Sequence, residues 1–124
     1  MIKNIILVAI GGALGSVLRY LFTLVTIPFT SKIYVNTLIT NVLGCFFIGF
    51  LSIFLLNKYN NAQLNVLFIT GFCGGFTTFS TFALENQKMM QINQYSDSFI
   101  YIILSVVCAI IAVLVGQRVG ELFL

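Results

Sequence analysis

Apolar residues in this chain neither alternate with polar ones nor come in short blocks; they run on. No charged residue occurs between Lys32 and Lys58, between Lys58 and Glu85, or between Asp97 and Arg118. Each interval is as long as the ~20 residues a helix needs to cross the hydrocarbon of a bilayer. The opening stretch, Ile5 to Phe29, is equally apolar apart from Arg19. The pattern predicts four transmembrane helices near residues 4–27, 33–57, 64–85 and 97–118. Barrel strands would alternate over about ten residues, and these runs do not.

Composition agrees with that reading. Of 124 residues, 60% are hydrophobic and 7% charged, whereas a soluble domain carries about a quarter charged residues. A globule this small leaves much of its area in water, so the apolar surface needs lipid to hide it. The expected joining segments, Thr30–Lys32, Lys58–Gln63 and Asn86–Ser96, are too short to fold as soluble domains. The chain therefore reads as one domain over residues 1–124. Lys3 and the small residues around Ala13 imitate a signal peptide, but the apolar stretch continues past the would-be cleavage site.

Charge says little about orientation. Four crossings put Lys3, Lys58 and Arg118 on one side and Lys32 and Lys88 on the other, and topology is read from such Lys/Arg asymmetry. The near balance leaves two readings: a fixed orientation set by a single charge, or insertion both ways up with antiparallel pairing. Labelling the loops from each side of the membrane separates them.

The chemistry narrows by what is missing. The chain has no His, and its acidic residues are Glu85, Asp97 and Glu121, all expected at helix ends. That leaves no carboxylate pair for a proton relay and no His/Cys/Asp cluster at metal-ligand spacing. Cys45, Cys73 and Cys108 fall inside spans and read as small buried thiols between helices. Without a base to activate a nucleophile, an enzyme is not expected.

Uncharged polar and small residues remain, at helical spacing. In the first helix Gly11, Gly15 and Arg19 share a face. The glycines read as a close-packing surface, and Arg19 as either an anion attractor near a vestibule or a structural anchor. Thr37, Asn41 and Cys45 lie four apart in the second helix; interhelical glue and pore lining are both open for Asn41. The run from Gly71 to Phe82 combines three glycines with Thr77, Thr78, Ser80 and Thr81. Gly costs about 1 kcal/mol in a helix interior, so a break is expected at Gly74–Thr78. Freed backbone groups at membrane depth must be buried in protein or line a cavity. Phe72, Phe76, Phe79 and Phe82 form an aromatic stripe beside that polar face, and an aromatic ring has a positive edge that an anion can approach. In the fourth helix Tyr101 and Ser105 lie four apart, followed by Ala109, Ala112 and Gly116. They read as a small-residue contact face or as the start of a hydroxyl line for an ion.

Three segments carry a resemblance. Residues 11–20 (GGALGSVLRY), 36–44 (NTLITNVLG) and 71–82 (GFCGGFTTFSTF) resemble, in order, the signature segments of the Fluc (CrcB) family of fluoride channels. The match in length and layout runs along the whole chain. The resemblance implies an antiparallel, dual-topology homodimer in the cytoplasmic (inner) membrane, with two fluoride pores and a structural sodium ion at its centre. Phe79 and Phe82 would present ring edges to fluoride, with Asn41 as the amide donor beside them. Backbone carbonyls of Gly74 and Thr77 would hold sodium, whose hydration shell carbonyl oxygens can replace. Tyr101 and Ser105 resemble the family's hydroxyl track, with Thr37 and Ser80 nearby, and Arg19 matches its first-helix arginine. Asn36 departs from the glycine common at its position, and Ala109 stands where a further hydroxyl can occur.

The expected function is passive fluoride efflux that protects the cell from fluoride, with lipid, fluoride and sodium as partners and no nucleic acid. Two rivals are a small proton-coupled multidrug exporter and a non-transporting assembly subunit. The exporter needs a carboxylate in its first helix, which is absent here.

Overall fold

The computed structural model describes residues 1–26 and 33–124. The joining segment expected at Thr30–Lys32, with the charge of Lys32, lies outside the described residues. Helix α1 spans Ile2–Thr26 and α2 spans Ile33–Lys58. α3 covers residues 62–76 and changes its winding twice: Ala62–Leu64 is α-helical, Asn65–Cys73 π-helical and Gly74–Phe76 α-helical again. Thr77 (φ −79°, ψ 158°) and Thr78 (φ −148°, ψ 107°) are extended. α4 then spans Phe79–Gln91 and α5 spans Tyr95–Leu122.

Among the described residues, four stretches are long and apolar enough to cross a bilayer: Ile2–Val25, Tyr34–Lys58, Ala62–Gln91 and Tyr95–Glu121. The molecule is an all-helical, multi-pass membrane protein. The turns between them rest on asparagines. Asn60 (φ 41°) and Asn93 (φ 60°) occupy the left-handed region, which Asn tolerates better than most side-chain-bearing residues. Asn61 caps α3 by accepting a hydrogen bond from the Gln63 amide at 2.9 Å.

The third span runs further than its composition indicates. The sequence reading ended it at residue 85 and assigned Asn86–Ser96 to a loop, whereas α4 continues to Gln91 and α5 begins at Tyr95. Packing is the reason. Asn86 and Met89 are buried on one face, and Asn86 is tied at both ends of its amide. Its Nδ2 donates to the Phe82 carbonyl at 2.9 Å, and its Oδ1 accepts from the fully buried Ser98 hydroxyl at 2.8 Å. The last helix also outruns its expected end, with Arg118 and Glu121 forming an exposed ion pair one turn apart at 3.0 Å.

α1 lies chiefly against α3, and α2 chiefly against α5. Both pairs approach at backbone distance. A Cβ on Gly11 would strike the Leu67 carbonyl, and one on Gly15 the Phe72 carbonyl; Gly49 and Gly116 likewise face the Val113 and Phe46 carbonyls across α2 and α5. Lipid gives apolar side chains no reason to leave it, so such helices associate through close packing and hydrogen bonds. Accordingly the interior is rich in polar groups: Asn36, Thr37, Thr40, Asn86 and Ser98 are buried, while Ile5, Leu14, Val17, Ile103 and Leu114 face outward.

Because the atoms opposite Gly15 are backbone, they cannot swing aside. Gly15→Val is expected to destabilise the protein by about 1–3 kcal/mol, the usual cost of overpacking. The check is a lowered thermal-unfolding midpoint in detergent; an unchanged midpoint would mean that α1 and α3 can separate freely.

Candidate functional site

The two extended threonines would be costly if left alone, because backbone polar groups at membrane depth have no water to bond. Asn41 of α2 satisfies those of Thr78. Its Oδ1 accepts from the Thr78 amide at 2.8 Å and its Nδ2 donates to the Thr78 carbonyl at 3.1 Å. A primary amide has two N–H donors, and no described residue takes the second. Asn41 itself lies in the wall of a cavity of about 600 Å³, with Thr77, Phe79, Phe82 and Ser105.

This clamp diverts two further backbone partners. An α-turn would send the Thr78 amide to the Gly74 carbonyl, four residues back, but that amide points to Asn41. Likewise the Thr81 amide, which would reach the Thr77 carbonyl, goes to Thr78 Oγ1 at 3.3 Å. Gly74 is exposed, with no heavy atom within 4 Å of where its Cβ would stand, and lines the same cavity as Thr77. Both carbonyls are thus hard oxygen donors released from helical pairing, the chemistry a sodium ion requires.

Thr78 restarts the helix. Its hydroxyl accepts from the Thr81 amide and donates to Thr81 Oγ1 at 2.9 Å, an N-cap arrangement. The opening amides of α4 and the positive end of its dipole therefore lie beside the extended pair. Ser80, on the first turn, is exposed, with its hydroxyl 3.4 Å from Thr78 Oγ1.

The phenylalanines differ from one another. Phe72 and Phe76 stack on each other at 6.0 Å, and Phe76 is buried against Phe22; these two pack. Phe79 is 79% exposed, with its ring 5.4 Å from Phe82. Phe82 in turn meets Tyr101 at 5.1 Å with the rings at 63°, an edge contact.

Tyr101 leads to a group that sequence reasoning missed. Glu85 had been placed at a helix end, but it sits within α4, half-buried, and its carboxylate is held from both sides. Thr37 Oγ1 donates to Oε1 at 2.7 Å, and the Tyr101 hydroxyl donates to Oε2 at 2.8 Å. Both separations are those of ordinary O–H···O hydrogen bonds. Once the span is known to continue past residue 85, an acid that ends the charge-free run 59–84 yet lies within the span is the signal that would have found it.

Arg19 lies elsewhere, with Thr37, Thr40, Thr81 and Glu85 around a separate polar cavity of about 210 Å³. Its Nε is buried and has no hydrogen-bond partner among the described residues. Ser105 Oγ, in the wall of the larger cavity, is in the same position. Thus Asn41, Phe79, Phe82 and Ser105 share the larger cavity, Arg19 and Thr37 share the smaller, and the Thr37–Glu85–Tyr101 hydrogen bonds run between α2, α4 and α5. Among the described residues no group of three His, Cys, Asp or Glu side chains is placed to hold a metal.

Comparison with known proteins gives a consistent result. The family model described as "CrcB-like protein, Camphor Resistance (CrcB)" matches residues 6–117. A protein of Azobacteroides pseudotrichonymphae named fluoride-specific ion channel FluC is 42% identical, covering 99% of this chain and 100% of its own. Proteins with the same name from Gloeothece citriformis and Flavobacterium psychrophilum are 46% and 44% identical, covering 91% and 96% of this chain and 93% and 98% of their own.

Asn41→Leu removes both bonds to Thr78 and strands a backbone amide and carbonyl, each costing about 1–3 kcal/mol when left unsatisfied. The expected outcome is a lowered unfolding midpoint with faster hydrogen–deuterium exchange confined to the segment around Thr78. Unaltered exchange there would show that the extended pair does not depend on Asn41.

Proposed function

The chain belongs to the CrcB family, and from that membership we propose that it is a fluoride-selective channel through which the anion leaves the cell passively. The observation that carries the reading is the surroundings of Phe79. A large ring stands 79% exposed at the first position of a helix, beside an amide clamp and a cavity that other polar groups share. Exposure alone would suit a ring facing lipid, as that of Phe99 does; what sets Phe79 apart is that it lines the cavity with Asn41 and Phe82.

Fluoride is small and holds its water tightly, so a path for it must offer many weak donors in succession. The second Nδ2 hydrogen of Asn41, the ring edges of Phe79 and Phe82, and the hydroxyls of Ser80, Ser105, Thr37 and Tyr101 supply them. Each is uncharged, so the ion is passed on rather than trapped. Glu85 fits as a competitor. Its carboxylate and fluoride are both acceptors, and the Thr37 and Tyr101 hydroxyls can serve either. Arg19, with a buried N–H directed at no acceptor among the described residues, shares the smaller cavity with the Glu85 carboxylate, so it supplies a donor there and no uncompensated charge.

The larger cavity and the exposed Phe79 support a second copy of the chain as their cover, paired antiparallel in keeping with the balanced charges. In that assembly the Gly74 and Thr77 carbonyls of both copies would hold a sodium ion. Bound there, sodium would neutralise the oxygen dipoles where the two interrupted spans cross. The inner membrane is the setting in which such a path is useful. Hydrogen fluoride entering from acid surroundings gives up its proton inside and traps the anion, which then drains outward. Membership of the family favours this reading over the multidrug exporter and the assembly subunit.

Reconstituted in liposomes, the protein is expected to release fluoride to an electrode while retaining chloride. Equal release of both would refute the selectivity. Phe79→Ile should keep the assembly intact by size-exclusion chromatography yet cut fluoride efflux about tenfold, corresponding to ~1.4 kcal/mol of barrier. Undiminished efflux would remove the ring edges from the mechanism.

A further inference from the structure

The cavity wall carries two thiols that the fluoride path does not use. Cys45 and Cys73 both line it, as does Asn41, and both are free. Contacts between α2 and the third span fix their register. Asn41 bonds Thr78, and a Cβ on Gly44 would strike the Thr77 methyl. As the two elements run antiparallel, the next residue of α2 comes level with the preceding turn of α3, which carries Cys73, and both residues line the same cavity. Cys73 is 2% exposed and its carbonyl is taken by the Thr77 amide and hydroxyl, each at 3.0 Å, so its position in the wall is fixed. Cys108 is not part of this cavity.

From this juxtaposition we infer that Cys45 and Cys73 form a two-coordinate site for a soft monovalent metal cation, Cu(I) or its redox-inert analogue Ag(I). Thiolates select such ions, while the neighbouring Gly74 and Thr77 carbonyls suit hard ones. Two sulfurs are sufficient for linear coordination, and the absence of a third ligand on the wall favours a monovalent ion over tetrahedral zinc. Each thiol releases its proton to solvent as its sulfur–metal bond forms; no electron is transferred. Two thiolates and one monovalent cation leave a net charge of −1 where two neutral groups stood. A filled site therefore repels fluoride from the wall it would pass. That last step rests on the channel reading, and the site itself does not.

The test uses the full-length protein and Ag(I), supplied as the fluoride salt. Silver K-edge absorption of the detergent-solubilised protein is expected to report one silver per chain with two sulfur neighbours. One sulfur, with oxygen or nitrogen completing the shell, would overturn the site. Either Cys45→Ala or Cys73→Ala should weaken silver affinity by about a hundredfold or more, the scale on which a second tethered ligand adds. Cys108→Ala should leave the affinity unchanged. Affinity indifferent to both Cys45→Ala and Cys73→Ala would also overturn it. In liposomes silver should slow fluoride efflux, and dithiothreitol should restore it. Bound silver with unaltered efflux would remove the site from the conduction path. Untreated protein that passes no fluoride would instead defeat the channel reading, while the spectroscopic result would still decide the thiol site.

Discussion

The two hydrogen bonds between the Asn41 side chain and the backbone of Thr78 hold together what the rest of the structure arranges around them. An interrupted helix in a bilayer exposes donors and acceptors that no lipid can satisfy. One side-chain amide from a different helix answers both groups of the same residue. Everything nearby follows from that substitution of partners. The Gly74 and Thr77 carbonyls lose their helical donors, Thr78 becomes the cap of a new helix, and Phe79 emerges at its start with an uncovered ring.

A second set of bonds governs the far half of the span. Thr37, Glu85 and Tyr101 join three helices through one carboxylate, and Asn86 and Ser98 lock α4 to α5 a residue further on. In a soluble domain such groups would be scattered at the surface. Here hydroxyls and amides sit inside and leucines and isoleucines outside, since the solvent is hydrocarbon and polar groups must find each other.

Much of this was legible in the residues. Three charge-free runs as long as a bilayer is thick, with an opening apolar stretch broken by Arg19 alone, identified the four spans, and the ordered segments 11–20, 36–44 and 71–82 identified the family. The ends of the third span were less legible. Asn86, Gln87 and Lys88 look like loop residues until Ser98 is known to satisfy Asn86. The location of Glu85 was lost with that boundary. Propensity also misdirected attention to the glycines. Gly74 and Gly75 remain helical while two threonines are extended, because the deciding contact comes from Asn41, 37 residues away. The π-winding of Asn65–Cys73 has no residue signature, being a property of how the backbone is wound and packed.

The contact of α1 with α3 has a consequence for how this chain can vary. Gly11 and Gly15 oppose carbonyl oxygens of Leu67 and Phe72, not side chains. A larger residue at either site therefore has no neighbour whose trimming would make room. Intragenic suppressors of such a change cannot arise by shaving the facing surface; they must alter the winding of the π-segment itself. Lineages that keep this helix should thus drift freely at its lipid-facing isoleucines and valines and remain frozen at two atoms' worth of empty space.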